Sequence, residues 1–119
     1  MDLYKIEFDL EKGEWKNEFV QVDNTDSLEE YYKYIDCRLV DIVQLTEEVV
    51  AIVDDEGLLK SGNPVFEFTL NKHKFNLVGN ILLGKTEVDD FEKEIVSLDE
   101  LSFTRLSEQL GIKLIGITN

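Results

Sequence analysis

The run Val49-Val50-Ala51-Ile52-Val53 offers no polar side chain, and four of its residues are β-branched. A short continuous run of this kind reads as a strand with no wet face. Cys37 to Leu45 is a second β-branched-rich stretch, separated from the first by Thr46-Glu47-Glu48. The two are expected to form a central antiparallel pair, buried on both faces or nearly so.

The flanking sequence is read around that pair. Tyr4, Ile6 and Phe8 alternate with Lys5, Glu7 and Asp9, the period of a strand with one wet face. Glu11-Lys12-Gly13-Glu14 turns into a second strand carrying Trp15, Phe19, Val20 and Val22. Asp26 and Glu29 have capping-box spacing, and Leu28, Tyr31, Tyr32 and Ile35 recur at helical intervals. Gly57 to Pro64 reads as an exposed loop, Phe66 and Phe68 as a short strand, and Lys74 to Gly84 as a longer one in which Gly79 allows a bulge. The segment from Glu87 to Glu94 is too polar to pack alone and is expected to be extended or loosely helical over the surface. Ser97 and Glu100 form a second capping box for a helix through Leu98, Leu101, Phe103, Leu106 and Leu110, ended by Gly111, with a last strand from Ile112 to Thr118.

The expectation is one acidic α+β domain over residues 1–119, mainly an antiparallel sheet of about six to seven strands with two helices packed on it. Hydrophobic content of 43%, with seven Phe, four Tyr and one Trp, lies above what a disordered acidic segment shows, so the charge decorates a fold. No apolar run approaches the roughly 20 residues that span a bilayer. The N-terminus MDLYKIEFDL lacks the basic and apolar regions of a signal peptide, which predicts a cytoplasmic protein without membrane contact.

Charge carries the strongest functional signal. There are 26 acidic residues against 12 basic ones, a formal net charge of -14, and Leu39 to Leu59 holds Asp41, Glu47, Glu48, Asp54, Asp55 and Glu56 with no cation. Such a field repels nucleic acid and anionic lipid and favours a basic protein partner. The charge is also polarised: Gly57 to Thr86 has four lysines and one glutamate, Glu87 to Glu100 seven acids and one lysine. The expected partner-binding face comprises Glu29 and Glu30, the turn Asp54, Asp55 and Glu56, and the segment Glu87, Asp89, Asp90, Glu92 and Glu94. On one side of the fold these carboxylates would imitate the phosphate rows of a duplex.

Catalytic signatures are weak. His73, the one histidine, lies between Lys72 and Lys74 and reads as a turn residue, without a second histidine to share a metal. Cys37, the one cysteine, starts an apolar strand and reads as a small hydrophobe. Asp54-Asp55-Glu56-Gly57 lacks the alternate-position ligands of a calcium loop. Gly79 to Thr86 matches G-x-x-x-x-G-K-T in full, but Asn80-Ile81-Leu82-Leu83 is strand-like where a phosphate loop needs small residues before a helix. No catalytic residue, cofactor or metal is expected.

Cys37 to Val43, Val50 to Leu59, Asn63-Pro64 and Leu77-Val78-Gly79-Asn80-Ile81-Leu82 together resemble a family of small uncharacterised proteins encoded by phages, plasmids and integrative elements of low-GC bacteria. The similarity spans roughly Tyr4 to Leu110 and implies no catalytic residues. It implies a mobile-element protein, and two readings follow. One is a DNA-mimicking decoy that inhibits a host restriction or CRISPR enzyme through the carboxylate face. The other is a protein-interaction or regulatory module that binds through the Tyr31-Tyr32-Tyr34 helix or an uncovered strand edge.

Overall fold

The computed structural model describes residues 1–23, 28–89 and 92–119. In chain order it runs β1 (Asp2–Ile6), β2 (Phe8–Asp9), β3 (Glu14–Trp15), β4 (Glu18–Gln21), α1 (Glu29–Ile35), β5 (Val40–Gln44), β6 (Val49–Asp54), a 3-10 turn (Gly57–Leu59), β7 (Pro64–Leu70), β8 (His73–Val78), β9 (Ile81–Asp89), β10 (Glu92–Val96), α2 (Glu100–Gln109) and β11 (Leu110–Ile117). The class is α+β, as expected, but the described residues hold eleven strands in three sheets rather than six to seven in one.

The main sheet has the order β4-β1-β9-β6-β5, with β10 pairing to the far half of β9. β6 lies inside this sheet and all six of its residues are buried. Its side chains serve two cores in alternation, as the period of a strand dictates. Val49, Ala51 and Val53 join Phe66, Phe68, Leu70 and Leu77 of a second sheet, β11-β7-β8, together with Leu106 of α2. Ile52 joins Leu3 and Leu82 under Tyr31 and Ile35 of α1. The result is three layers: α1, the main sheet, then the smaller sheet with α2.

Several expectations are corrected by the structure. β5 is an edge strand, so the central pair is buried on one member only; Asp41 is exposed and Ile42 is 51% exposed. The run from Lys74 to Gly84 is two strands, because Gly79 takes φ +83° and turns the chain between β8 and β9. The polar segment after Thr86 is extended, one of the two forms expected, but it is paired as β9 and β10 and not loose on the surface. Gly84 and Lys85 therefore lie within a strand, and Gly84 is small because a Cβ there would stand 2.9 Å from Ile95 Cγ2 and 3.1 Å from Leu3 Cδ2.

The second helix starts later than its expected box. Asp99, not Ser97, is the N-cap, its carboxylate accepting the Ser102 amide at 2.7 Å, while Ser97 Oγ accepts the Asp2 amide at 2.8 Å. At the other end Leu110 is already extended and continues directly into β11. The first capping box involves Asp26, which lies outside the described residues.

Candidate functional site

The expected acidic residues fall at two ends of the main sheet. At the end of β6, the Asp54 carboxylate is buried and used internally. Its Oδ1 accepts the Glu56 amide at 2.9 Å, and its Oδ2 pairs with Lys60 Nζ at 2.6 Å. Lys60 also donates to the Asp36 carbonyl at 3.3 Å, and its hydrogen bond to Asp54 raises its pKa. Glu56 is held by both arms of Arg38, Nε to Oε1 at 2.7 Å and Nη2 to Oε2 at 2.9 Å. That fork lowers the Glu56 pKa and raises that of Arg38. Of this turn, Asp55 is the exposed carboxylate without an ion pair among the described residues.

Cys37 beside this corner, and His73 at the far end of β8 from it, fit bland roles. Cys37 is part-buried, and burial followed by the charge of Asp54 pushes its thiol pKa up, the opposite of a nucleophile. His73 opens β8 directly after the turn made by Asn71 and Lys72, both at positive φ.

The other end is different. The pairing of β6 with β9 stops at Val49 and Lys85, with one further bond from the Thr86 amide to the Glu48 carbonyl. Beyond it β9 and β10 continue as a two-stranded arm. Its register sets Glu87 opposite Glu94 and Asp89 opposite Glu92, with Val88 opposite Lys93 between them. Like charges directly opposite one another are unfavourable by roughly 0.2–1 kcal/mol a pair.

The cations nearby are engaged elsewhere. Lys85 pairs with Asp99 at 3.0 Å, Arg105 holds Glu48 through two nitrogens at 3.0 and 2.9 Å, and Lys93 donates to the side-chain oxygen of Gln44. The capping bond from Ser102, and then Lys85, pull the Asp99 pKa down to about 2. Glu87 and Glu94 are exposed, and neither has an ion pair among the described residues.

α1 adds to the same end. Glu30 accepts the Asp23 amide, Val22 bonds Met1, and Asp2 bonds Leu98, so the first turn of α1 lies beside the start of β1 and the root of the arm. The structure thus brings Glu29 and Glu30 to the end that bears Glu87, Asp89, Glu92 and Glu94. It sets Asp54, Asp55 and Glu56 at the opposite end, a strand length of about 17 Å away. Asp90 lies outside the described residues.

Of the alternative aromatic surface, Tyr31 is buried while Tyr32 and Tyr34 are half-buried. Tyr31 is a core residue, and Tyr34 packs against the same core with its hydroxyl donating to the Gln21 carbonyl at 3.0 Å. Sequence reasoning missed the apolar exposure at Leu58 and Leu59, 76% and 83% exposed on the 3-10 turn, and the open edge of β5. The loop signal at Gly57 to Pro64 was the available clue to the first; no signal marked the second.

No described helix is long and apolar enough to cross a membrane. Among the described residues no three His, Cys, Asp or Glu side chains are grouped to hold a metal ion. Comparison with curated proteins and with solved structures finds no match. A family model described as a domain of unknown function, DUF3846, matches residues 9–111.

Proposed function

We propose, for a chain that belongs to the DUF3846 family of domains of unknown function, a non-enzymatic role as an acidic decoy for a basic protein. The observation that carries this reading is the arm, where two rungs of the β9–β10 ladder set acid against acid while the nearby cations are spent on Asp99, Glu48 and Gln44. Successive rungs of this kind are two residues, about 7 Å, apart with a carboxylate on each strand, so the arm sets two parallel rows of acids at about half the charge density of a duplex. A basic cleft relieves the repulsion that the free arm retains.

The partner class that fits is a nucleic-acid-processing enzyme of the restriction or CRISPR type. The setting is the cytoplasm of a host carrying a phage, plasmid or integrative element. The contributing surface is Glu29, Glu30, Glu87, Asp89, Glu92 and Glu94; Asp54 and Glu56 take no part because they hold the fold. Neither a cofactor nor direct contact with nucleic acid or membrane is required.

The test is inhibition of DNA cleavage by a panel of restriction and CRISPR nucleases across a salt series. Inhibition at low ionic strength that fades steeply with salt, and that is reduced by Glu87→Gln with Glu94→Gln, is the expected result. Absence of inhibition at low salt across the panel overturns the decoy reading.

A further inference from the structure

We infer that β5 is a pairing edge for a second copy of this chain, joined antiparallel about a two-fold axis through Ile42. The backbone bonds from Asp55 to the Leu39 carbonyl and from Leu45 to the Val49 carbonyl fix which residues of this strand face β6. By alternation the amides and carbonyls of Val40, Ile42 and Gln44 point the other way, to an edge that no described strand covers. The Ile42 amide confirms the direction: its hydrogen is taken at 2.9 Å by the carboxylate of its own neighbour, Asp41.

The other strands bonded on one side carry devices that discourage pairing. β11 has Lys113 and a register break between Leu114 and Gly116, β8 has Lys74, β10 has Lys93 between two glutamates, and β4, four residues long, has its Gln21 carbonyl taken by the Tyr34 hydroxyl at 3.0 Å. β5 has one charge, Asp41, whose carboxylate occupies the Ile42 amide alone, and no proline, glycine or bulge.

The strand is also complementary to itself. Centred on Ile42, the two-fold sets Ile42 against Ile42 and Val40 against Gln44, so every outward-facing station meets an outward-facing station. That gives about six backbone hydrogen bonds between the copies, the two donated by the Ile42 amides replacing their bonds to Asp41. The same register sets Asp41 against Val43, never against another acid, and Leu39, 48% exposed, against Leu45. Ile42, 51% exposed in the single chain, is covered by its counterpart.

Charge favours this seam for a second copy. With a net charge of -14, two chains approach best where carboxylates are neutralised, and β5 lies beside the Asp54–Lys60 and Glu56–Arg38 pairs. Because the strands run antiparallel across the axis, the two acidic arms end at opposite extremes of the pair. This contact uses none of the arm's carboxylates and is independent of the decoy reading.

Sedimentation equilibrium of the full chain from micromolar to millimolar concentration, at physiological salt, tests the inference. The expected result is a reversible dimer whose Val40, Ile42 and Gln44 amides exchange more slowly as concentration rises. Ile42→Lys places lysine against lysine and raises the dissociation constant by about tenfold or more, while its circular dichroism stays that of the folded chain. A wild-type chain that is monomeric throughout, an Ile42→Lys variant that dimerises as the wild type does, or edge amides protected only on adding another protein would each overturn it.

Discussion

The two ends of the main sheet are both acidic in sequence, yet they use their carboxylates in opposite ways. At the β6 end Asp54 caps a turn and holds Lys60, and Glu56 lies in the fork of Arg38. At the arm end Glu87 faces Glu94 and the cations turn to other partners. A carboxylate that accepts an amide and an ammonium stabilises the fold, whereas one facing its like leaves energy to be released on binding. Charge counting cannot separate the two cases; geometry does.

The largest expected effect comes from breaking the first end. Asp54→Ala removes a buried cap and strands the Lys60 ammonium, costing about 2–3 kcal/mol in urea denaturation. Asp55→Ala, one residue away but exposed and without an ion pair, is expected to stay within about 0.5 kcal/mol of wild type. Equal losses at the two positions would erase the distinction between spent and unspent carboxylates.

A smaller effect is expected at the root of the arm. Gly84→Ala drives a methyl towards Ile95 Cγ2, 2.9 Å away, and Leu3 Cδ2. The ends of these side chains can shift, so the cost is about 1–2 kcal/mol, at the lower end of overpacking. An unchanged denaturation midpoint would mean that β10 is not seated on the core as described.

Acid titration sharpens the comparison further. The Asp99 carboxyl, at about 2 in the fold against an ordinary value of 3.8, is held in its charged form by Ser102 and Lys85. Its stabilising contribution is therefore complete above about pH 4 and is lost as pH falls towards 2. Glu56 and Asp9 are also lowered and lose their contributions on the acid side. Asp99→Asn keeps a competent N-cap without the titration, so the acid limb of the stability curve becomes shallower but does not vanish. An acid limb identical to that of wild type would show that Asp99 is not held as described.

Much of the fold was legible because burial and period leave marks in sequence. The apolar run at Val49 to Val53 became the fully buried β6, and the alternating β7 buries Phe66, Phe68 and Leu70. What failed did so for physical reasons. Cys37 to Leu45 resembles β6 in composition, but a strand's place at a sheet edge depends on what lies beside it, and β5 has nothing beyond it among the described residues. The segment after Thr86 was legible as extended but not as a paired strand, because its stability comes from ladder bonds between β9 and β10, not from side-chain burial. The candidate site was legible as residues and not as a surface: the capping role of Asp54 and the fork on Glu56 depend on Lys60 and Arg38, which flank the acidic run in sequence and close over it only in the fold.

The smallest effect is the most discriminating, because its sign opposes that of Asp54→Ala. Glu94→Lys removes one carboxylate and sets a lysine opposite Glu87, turning a repulsive rung into an attractive one. The exchange should stabilise the chain by about 0.5 kcal/mol at low ionic strength, since cross-strand charge pairs of either sign contribute less than about 1 kcal/mol. At 1 M salt, where screening acts over about 3 Å, most of the gain should disappear. The same substitution should weaken the salt-sensitive inhibition proposed for the arm, so that stability and binding move in opposite directions. A destabilised Glu94→Lys chain would mean that Glu94 already serves the fold, and the contrast between the two ends would fail at its acidic pole.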